Sequence, residues 1–99
     1  MPDTLTAHAR VATPTPARYA KQLASHLGRR AEVLEEGEDL RIVLGTGSCL
    51  LHSAPDALEM TATAQTREDL ETVMRVVGSH LERFGQRNEL DVEWAVAGE

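Results

Sequence analysis

The chain has 99 residues, a mass of 10.8 kDa and a formal net charge of −6, with 41% hydrophobic and 26% charged residues. A protein of this mass exposes roughly 5,500 Å² folded against about 15,700 Å² unfolded, so residues 1–99 are expected to build a single domain around one core. The longest strictly apolar run, Trp94 to Ala97, is far too short for a membrane-spanning helix.

Only Tyr19, Phe84 and Trp94 are aromatic, so the core must be aliphatic. A lone cysteine, Cys49, excludes an internal disulfide and suits a reducing compartment. Met1-Pro2-Asp3 opens without a basic-then-apolar signal pattern, from which a cytoplasmic protein is expected. Charge is unevenly spread. Residues 1–31 carry Arg10, Arg18, Lys21, Arg29 and Arg30 against Asp3, a net +4, whereas residues 32–99 carry five arginines against fifteen carboxylates, a net −10. The first segment reads as a solvated basic face.

Thr4 to Thr13 alternates, with Leu5, Ala7, Ala9 and Val11 to one side and Thr6, His8 and Arg10 to the other, the pattern of a half-buried strand. Pro14 and Pro16 cannot donate to a ladder and end it. Thr15 is the expected N-cap of a helix that begins at Pro16 and carries Ala20, Leu23, Ala24 and Leu27 at helical spacing. Gly28 is its expected stop.

Four short strands follow, Ala31 to Glu35, Asp39 to Leu44, Cys49 to Ser53 and Ala57 to Ala64, separated by Glu36-Gly37-Glu38, Gly45-Thr46-Gly47 and Ala54-Pro55-Asp56. Thr66-Arg67-Glu68-Asp69 then offers a cap with acids at the positive end of the dipole. Leu70, Val73, Met74, Val77, Leu81 and Phe84 keep one helical face apolar, and Gly85 ends it. Leu90 to Val96 reads as a last strand with Leu90, Val92, Trp94 and Val96 inward and Asp91 and Glu93 outward. The order β-α-β-β-β-β-α-β predicts an α+β two-layer sandwich, with two helices on one face of a mostly antiparallel sheet and the other face open.

Several residue groups along this order resemble one family. Ala17-Arg18-Tyr19, Lys21-Gln22-Leu23 and His26-Leu27 are similar to the first helix of the bacterial family called domain of unknown function 2218. Gly47-Ser48-Cys49 resembles its Gly-x-Cys turn, although Thr46 stands where the family usually has an aromatic residue. His80-Leu81-Glu82-Arg83-Phe84 with Leu90 and Trp94 resembles its C-terminal signature. The resemblance spans nearly the whole chain. It implies a bacterial protein whose relatives stand alone or are appended to siderophore-interacting flavin reductases, and so a setting in iron or siderophore handling. It implies no activity and no cofactor.

His26 and His80 are the leading functional candidates. Each lies at the edge of its helix's apolar stripe, His80 beside Val77 and Phe84, and His26 beside Leu23 and, seven residues back, Tyr19. Both helices pack on one sheet face in this reading, which lets the imidazoles converge. The candidate ligand-binding set is His26, His80, Cys49, Tyr19 and Arg83, with His26 and His80 as the candidate metal ligands. The bland alternative is a pair of boundary histidines, since a resident metal wants three or four ligands. For Cys49 the bland alternative is a small buried filler.

Other chemistry is excluded by what is missing: paired-Cys zinc spacing, His-Glu-x-x-His, Gly-x-Ser-x-Gly and a Walker lysine do not occur. Nucleic-acid binding on an open sheet needs exposed aromatics and positive charge, but Trp94 falls on the core side among acids. Val43 and Leu51 fall opposite Ile42 and Leu50 or Leu44, so one of these strands exposes apolar side chains, the kind of surface that makes a dimer contact. The expected function is a binding or interaction module without catalysis. Its expected partners are a second copy or, by family analogy, a flavin-dependent siderophore reductase. The alternative is a metal- or ligand-dependent accessory enzyme using His26, His80 and Cys49.

Overall fold

Alternating side chains at the start of the chain become β1 (Leu5–Ala12), and the Thr-Pro-Thr-Pro break leads into α1 (Pro16–Leu27). The middle of the chain is the meander β2 (Glu32–Glu36), β3 (Asp39–Leu44), β4 (Gly47–Ser53) and β5 (Ala57–Ala64), followed by α2 (Arg67–Phe84) and a short β6 (Ala95–Val96). These elements come from a computed structural model that describes residues 4–29, 31–85, 90 and 92–97. The six strands form one sheet in the order β2-β3-β4-β5-β1-β6, antiparallel at every junction. Each helix therefore links two strands of the same direction, and both helices lie on one sheet face.

Local chemistry sets the helix ends. Thr66 caps α2 by accepting a hydrogen bond from the Asp69 amide at 3.1 Å, with Glu68 and Asp69 in the first turn. Thr15 is the N-cap of α1 but makes no side-chain cap bond; the Thr13 hydroxyl instead accepts from the Thr15 amide at 3.2 Å. Gly28 and Gly85 close the two helices by donating their amides to Ala24 and Leu81.

The register shows how the core is filled. One inward row runs Ile42, Cys49, Ala62, Ala7 and Val96 across five strands, and the next runs Leu40, Leu51, Met60 and Ala9. Ala7, Ala9, Ala62 and Ala64 make the sheet shallow beneath the helices, and Leu23 of α1 with Leu70, Val73, Val77 and Leu81 of α2 fill that space. Leu51 thus points into the core, and Val43 and Leu50 are the apolar residues of these strands on the open face. The sequence places Leu40, Ile42 and Leu44 of β3 inward, as found, and leaves β4 open because Cys49-Leu50-Leu51 is an unbroken apolar run.

The last strand is shorter than its alternating pattern predicts. Among the described residues only Ala95 and Val96 pair with β1, opposite His8 and Ala7. Upstream, the Val92 amide donates to the Glu82 carboxylate at 3.0 Å, and Val92 and Trp94 pack against Gly78 of α2. A side-chain acceptor and a helix surface replace the ladder there. Asp91 lies outside the described residues, and Glu93 is exposed beyond the strand.

Gly78 lets this segment approach. A Cβ there would sit 3.0 Å from Trp94 Nε1 and 3.5 Å from Val92 Cγ1. Gly78→Ala is expected to displace the indole and red-shift its emission, which Trp94, as the sole tryptophan, reports without overlap. The helix-propensity gain of up to ~1 kcal/mol offsets much of the packing loss, so urea denaturation should show little net change. An unshifted spectrum would mean that the indole is not seated on Gly78.

The open face carries three cross-strand rows. Glu36, Asp39, His52, Glu59 and Arg10 form one, Leu34, Arg41, Leu50, Thr61 and His8 the second, and Glu32, Val43, Ser48, Thr63 and Thr6 the third. Its charges, Glu32 apart, are paired in place. Arg41 holds Glu36, His52 Nδ1 meets Asp39 at 2.7 Å, and Arg10 bridges Asp56 at 2.8 Å and Glu59 at 3.5 Å. The hydrogen bond from Arg41 holds the Glu36 carboxyl below its usual range, and the bond to Asp39 raises the His52 imidazole above its own.

Candidate functional site

Both histidines stand near the C-terminal ends of their helices, where α1 and α2 come together. The imidazole centroids of His26 and His80 are 4.9 Å apart with planes tilted by 46°, and Phe84 meets His26 edge-on at 5.4 Å. Phe84 lies one turn beyond His80 on α2, and Tyr19 lies two turns before His26 on α1. Two helical stripes that are separate in sequence become one aromatic cluster when the helices pack on the same sheet face.

His80 is oriented by its own helix. Its Nδ1 donates to the Val76 carbonyl at 2.6 Å, which turns Nε2 away from the helix backbone. That nitrogen is the one free by geometry to accept a proton, a hydrogen bond or a metal ion. Ser79, His80 and Arg83 line a shallow cavity of about 180 Å³, so Arg83 borders the histidine pair.

A larger cavity of about 450 Å³ shares Phe84 with the cluster, although neither histidine lines it. Its walls include Thr13, Thr15, Arg18, Tyr19, Gln22 and Phe84. Tyr19 is buried, whereas Arg18 and Gln22 are exposed one turn apart on α1. Arg18, Gln22 and the two threonines were not read as site residues from the sequence; the available signal was a cation and an amide at i, i+4 beside a tyrosine. A further cavity, about 760 Å³, is a groove between the alanines of α1 and the β2–β3 hairpin. It contains none of the histidines or aromatic residues, and size alone does not make it the centre of the chemistry.

Cys49 takes no part in the cluster. It is fully buried in the sheet between Ile42 and Ala62, and burial pushes its thiol up to about 12 despite the opposing field of Arg41. A nucleophile or metal ligand needs the thiolate, which this environment disfavours. Among the described residues no three His, Cys, Asp or Glu side chains are placed to hold a metal ion, so His26, His80 and Cys49 do not form a three-ligand centre.

An antiparallel sheet with two crossover helices on one face and an aromatic-histidine cluster at the helix ends defines a small α+β sandwich with a concave site outside its core. The profile of the family described as uncharacterized protein conserved in bacteria, DUF2218, matches residues 8–95, and the chain belongs to that family. The fold is similar to the NMR structure of PA4090 from Pseudomonas aeruginosa, with a TM-score of 0.76 and 28% identity over 92% of this chain and 95% of that one. A de novo designed protein with a ferredoxin fold shares the fold alone, with a TM-score of 0.57 and 13% identity over 97% of this chain and 86% of the design. None of the curated proteins matches the chain. No described helix is long and apolar enough to cross a membrane.

Proposed function

We propose that this protein is a non-catalytic, cytoplasmic binding module that takes a small planar anion beside Phe84. The observation that carries the reading is the meeting of His26, His80 and Phe84 next to a cavity of about 450 Å³ bordered by Arg18, Tyr19 and Gln22. An aromatic ring supplies a stacking wall, a guanidinium supplies charge and planar hydrogen bonding, and imidazoles supply donors or acceptors as the ligand requires. An aromatic carboxylate or catecholate has the complementary features. The same chemistry suits the iron or siderophore setting that the family resemblance implies. Two imidazoles are too few for a resident metal, but they can complete the shell of an ion that arrives on its own chelator. The accessory-enzyme alternative is left with His26 and His80, because Cys49 is buried as a neutral thiol.

Titration of ¹⁵N-labelled protein with 2,3-dihydroxybenzoate tests the reading. Amide shifts are expected to concentrate at Thr13–Gln22, His26 and His80–Phe84. Phe84→Leu and the double variant His26→Ala/His80→Ala are each expected to weaken binding about tenfold, or ~1.4 kcal/mol, without a change in circular dichroism. Shifts spread over the molecule, or affinities equal in all three proteins, would remove the site from consideration. Native mass spectrometry of protein purified gently without chelator adds the natural case: a retained mass should disappear in the double variant.

A further inference from the structure

The open sheet face is a second surface, on the opposite side of the sheet from the histidine cluster. Leu34 is 41% exposed, the one large hydrophobic residue in that class among the described residues, and it shares the face with half-buried Val43 and Leu50. Around them lie short neutral side chains: Ser48, Thr6, Thr61 and Thr63. Its charged groups on β1, β3 and β4 are already matched, Arg41 to Glu36, His52 to Asp39 and Arg10 to Asp56 and Glu59. Pairing lowers the cost of covering these charges, because each keeps its partner when water is removed.

We propose that this face is a homodimer interface and that its occupant is a second copy of the chain, packed sheet against sheet. Five strands about 4.8 Å apart and three rows of outward side chains make a patch on the order of 20 × 20 Å. Even with the relief of the side chains, that stays below the ~800 Å² per partner of a standard interface and falls in the smaller class of weak, reversible contacts. β4 is the middle strand of β2-β3-β4-β5-β1, which places Leu50 near the centre of the patch. A two-fold axis along the strands through that point sets Leu50 against the same residue of the other copy. It also lays β2, which presents Glu32, Leu34 and Glu36, over β1, which presents Thr6, His8 and Arg10. Glu36 then faces Arg10 twice, Leu34 faces His8 and Glu32 faces Thr6. Asp39 and Glu59 come to face each other, each already held by its own cation. Aligned sheet packing of this kind is a standard solution for two half-covered sheets. The proposal does not depend on the ligand site, which stays accessible on the helical layer.

Sedimentation velocity at about 50 µM tests it, a concentration that populates a dimer of micromolar Kd. Wild type is expected to sediment as a dimer. Leu50→Lys, which sets two like charges together at the axis, is expected to be a monomer with unchanged circular dichroism. Ser25→Lys, an exposed position on α1 with the same change in charge, should remain dimeric. A monomeric wild type at this concentration would overturn the proposal, and so would a dimer that survives Leu50→Lys.

Discussion

Iodoacetamide added to the native protein near pH 8 is expected to leave Cys49 unmodified, and in concentrated guanidinium chloride to alkylate it completely. The folded thiol is pushed up to about 12 from an ordinary value of 9.0, chiefly by burial in the sheet. That alone lowers the thiolate fraction near pH 8 by about a thousandfold. The side chain is also fully buried, so labelling must wait for the sheet to open and should follow the rate or population of unfolding. The same burial predicts a pH effect of definite sign. A group with a raised folded value contributes stability below its unfolded value and loses it as pH rises toward the folded one. Above about pH 9 the advantage of wild type over Cys49→Ala should therefore shrink by roughly 1.4 kcal/mol per pH unit, read by urea denaturation of both proteins. Native labelling at the speed of a free thiol would return Cys49 to the reactive residues and reopen the enzyme alternative.

Gly47→Ala is expected to cost about 1–3 kcal/mol, although alanine replaces glycine favourably at most strand positions. Gly47 opens β4 opposite Leu44 and Ala64, on the inward row beneath α2. A Cβ there would lie 2.3 Å from the Thr63 carbonyl oxygen, 3.0 Å from Val73 Cγ2 and 3.1 Å from Ala64 Cβ. The oxygen belongs to the backbone and cannot rotate away, so the strand itself must shift. Gly45, two residues earlier in the same hairpin, has nothing within 4 Å of its would-be Cβ. Gly45→Ala should stay within about 0.5 kcal/mol of wild type. Combining Gly47→Ala with Val73→Ala should recover part of the loss as a favourable coupling energy. Equal effects at the two glycines would mean that the helix does not press on β4.

The elements were legible because each advertises itself locally. The α2 stripe, the Thr66 cap and the alternation of β1 and β5 need no knowledge of their neighbours. The facing of β3 was legible, with Leu40, Ile42 and Leu44 inward; that of β4 was not, since Cys49-Leu50-Leu51 is apolar on both faces. The register with β3 and the packing of the helices on the sheet decide it, and neither is written in β4 itself. β6 misled for a related reason. Its alternation records packing against Gly78 of α2 as much as pairing with β1. At the site, the helical wheel put each histidine beside its apolar stripe but could not supply the meeting of two helices. The Arg18–Gln22 wall of the cavity was hidden because those residues look like any solvated helix face until Phe84 is brought beside them.

Order in the sheet also sets order in time. From β2 to β5 every strand pairs with the next one in the chain, across turns such as Gly37-Glu38 and Gly45-Thr46. Such contacts close small loops and cost little entropy. β1 is different, for His8 meets Thr61 across 53 residues, and β6 can pair only once β1 is in place. The middle of the chain is therefore the natural nucleus, and the two ends are its last additions. While β1 is still missing, the edge of β5 that it covers and the part of α2 that packs on it stand open. The chain's most vulnerable moment in a crowded cell is that interval before its first strand comes home.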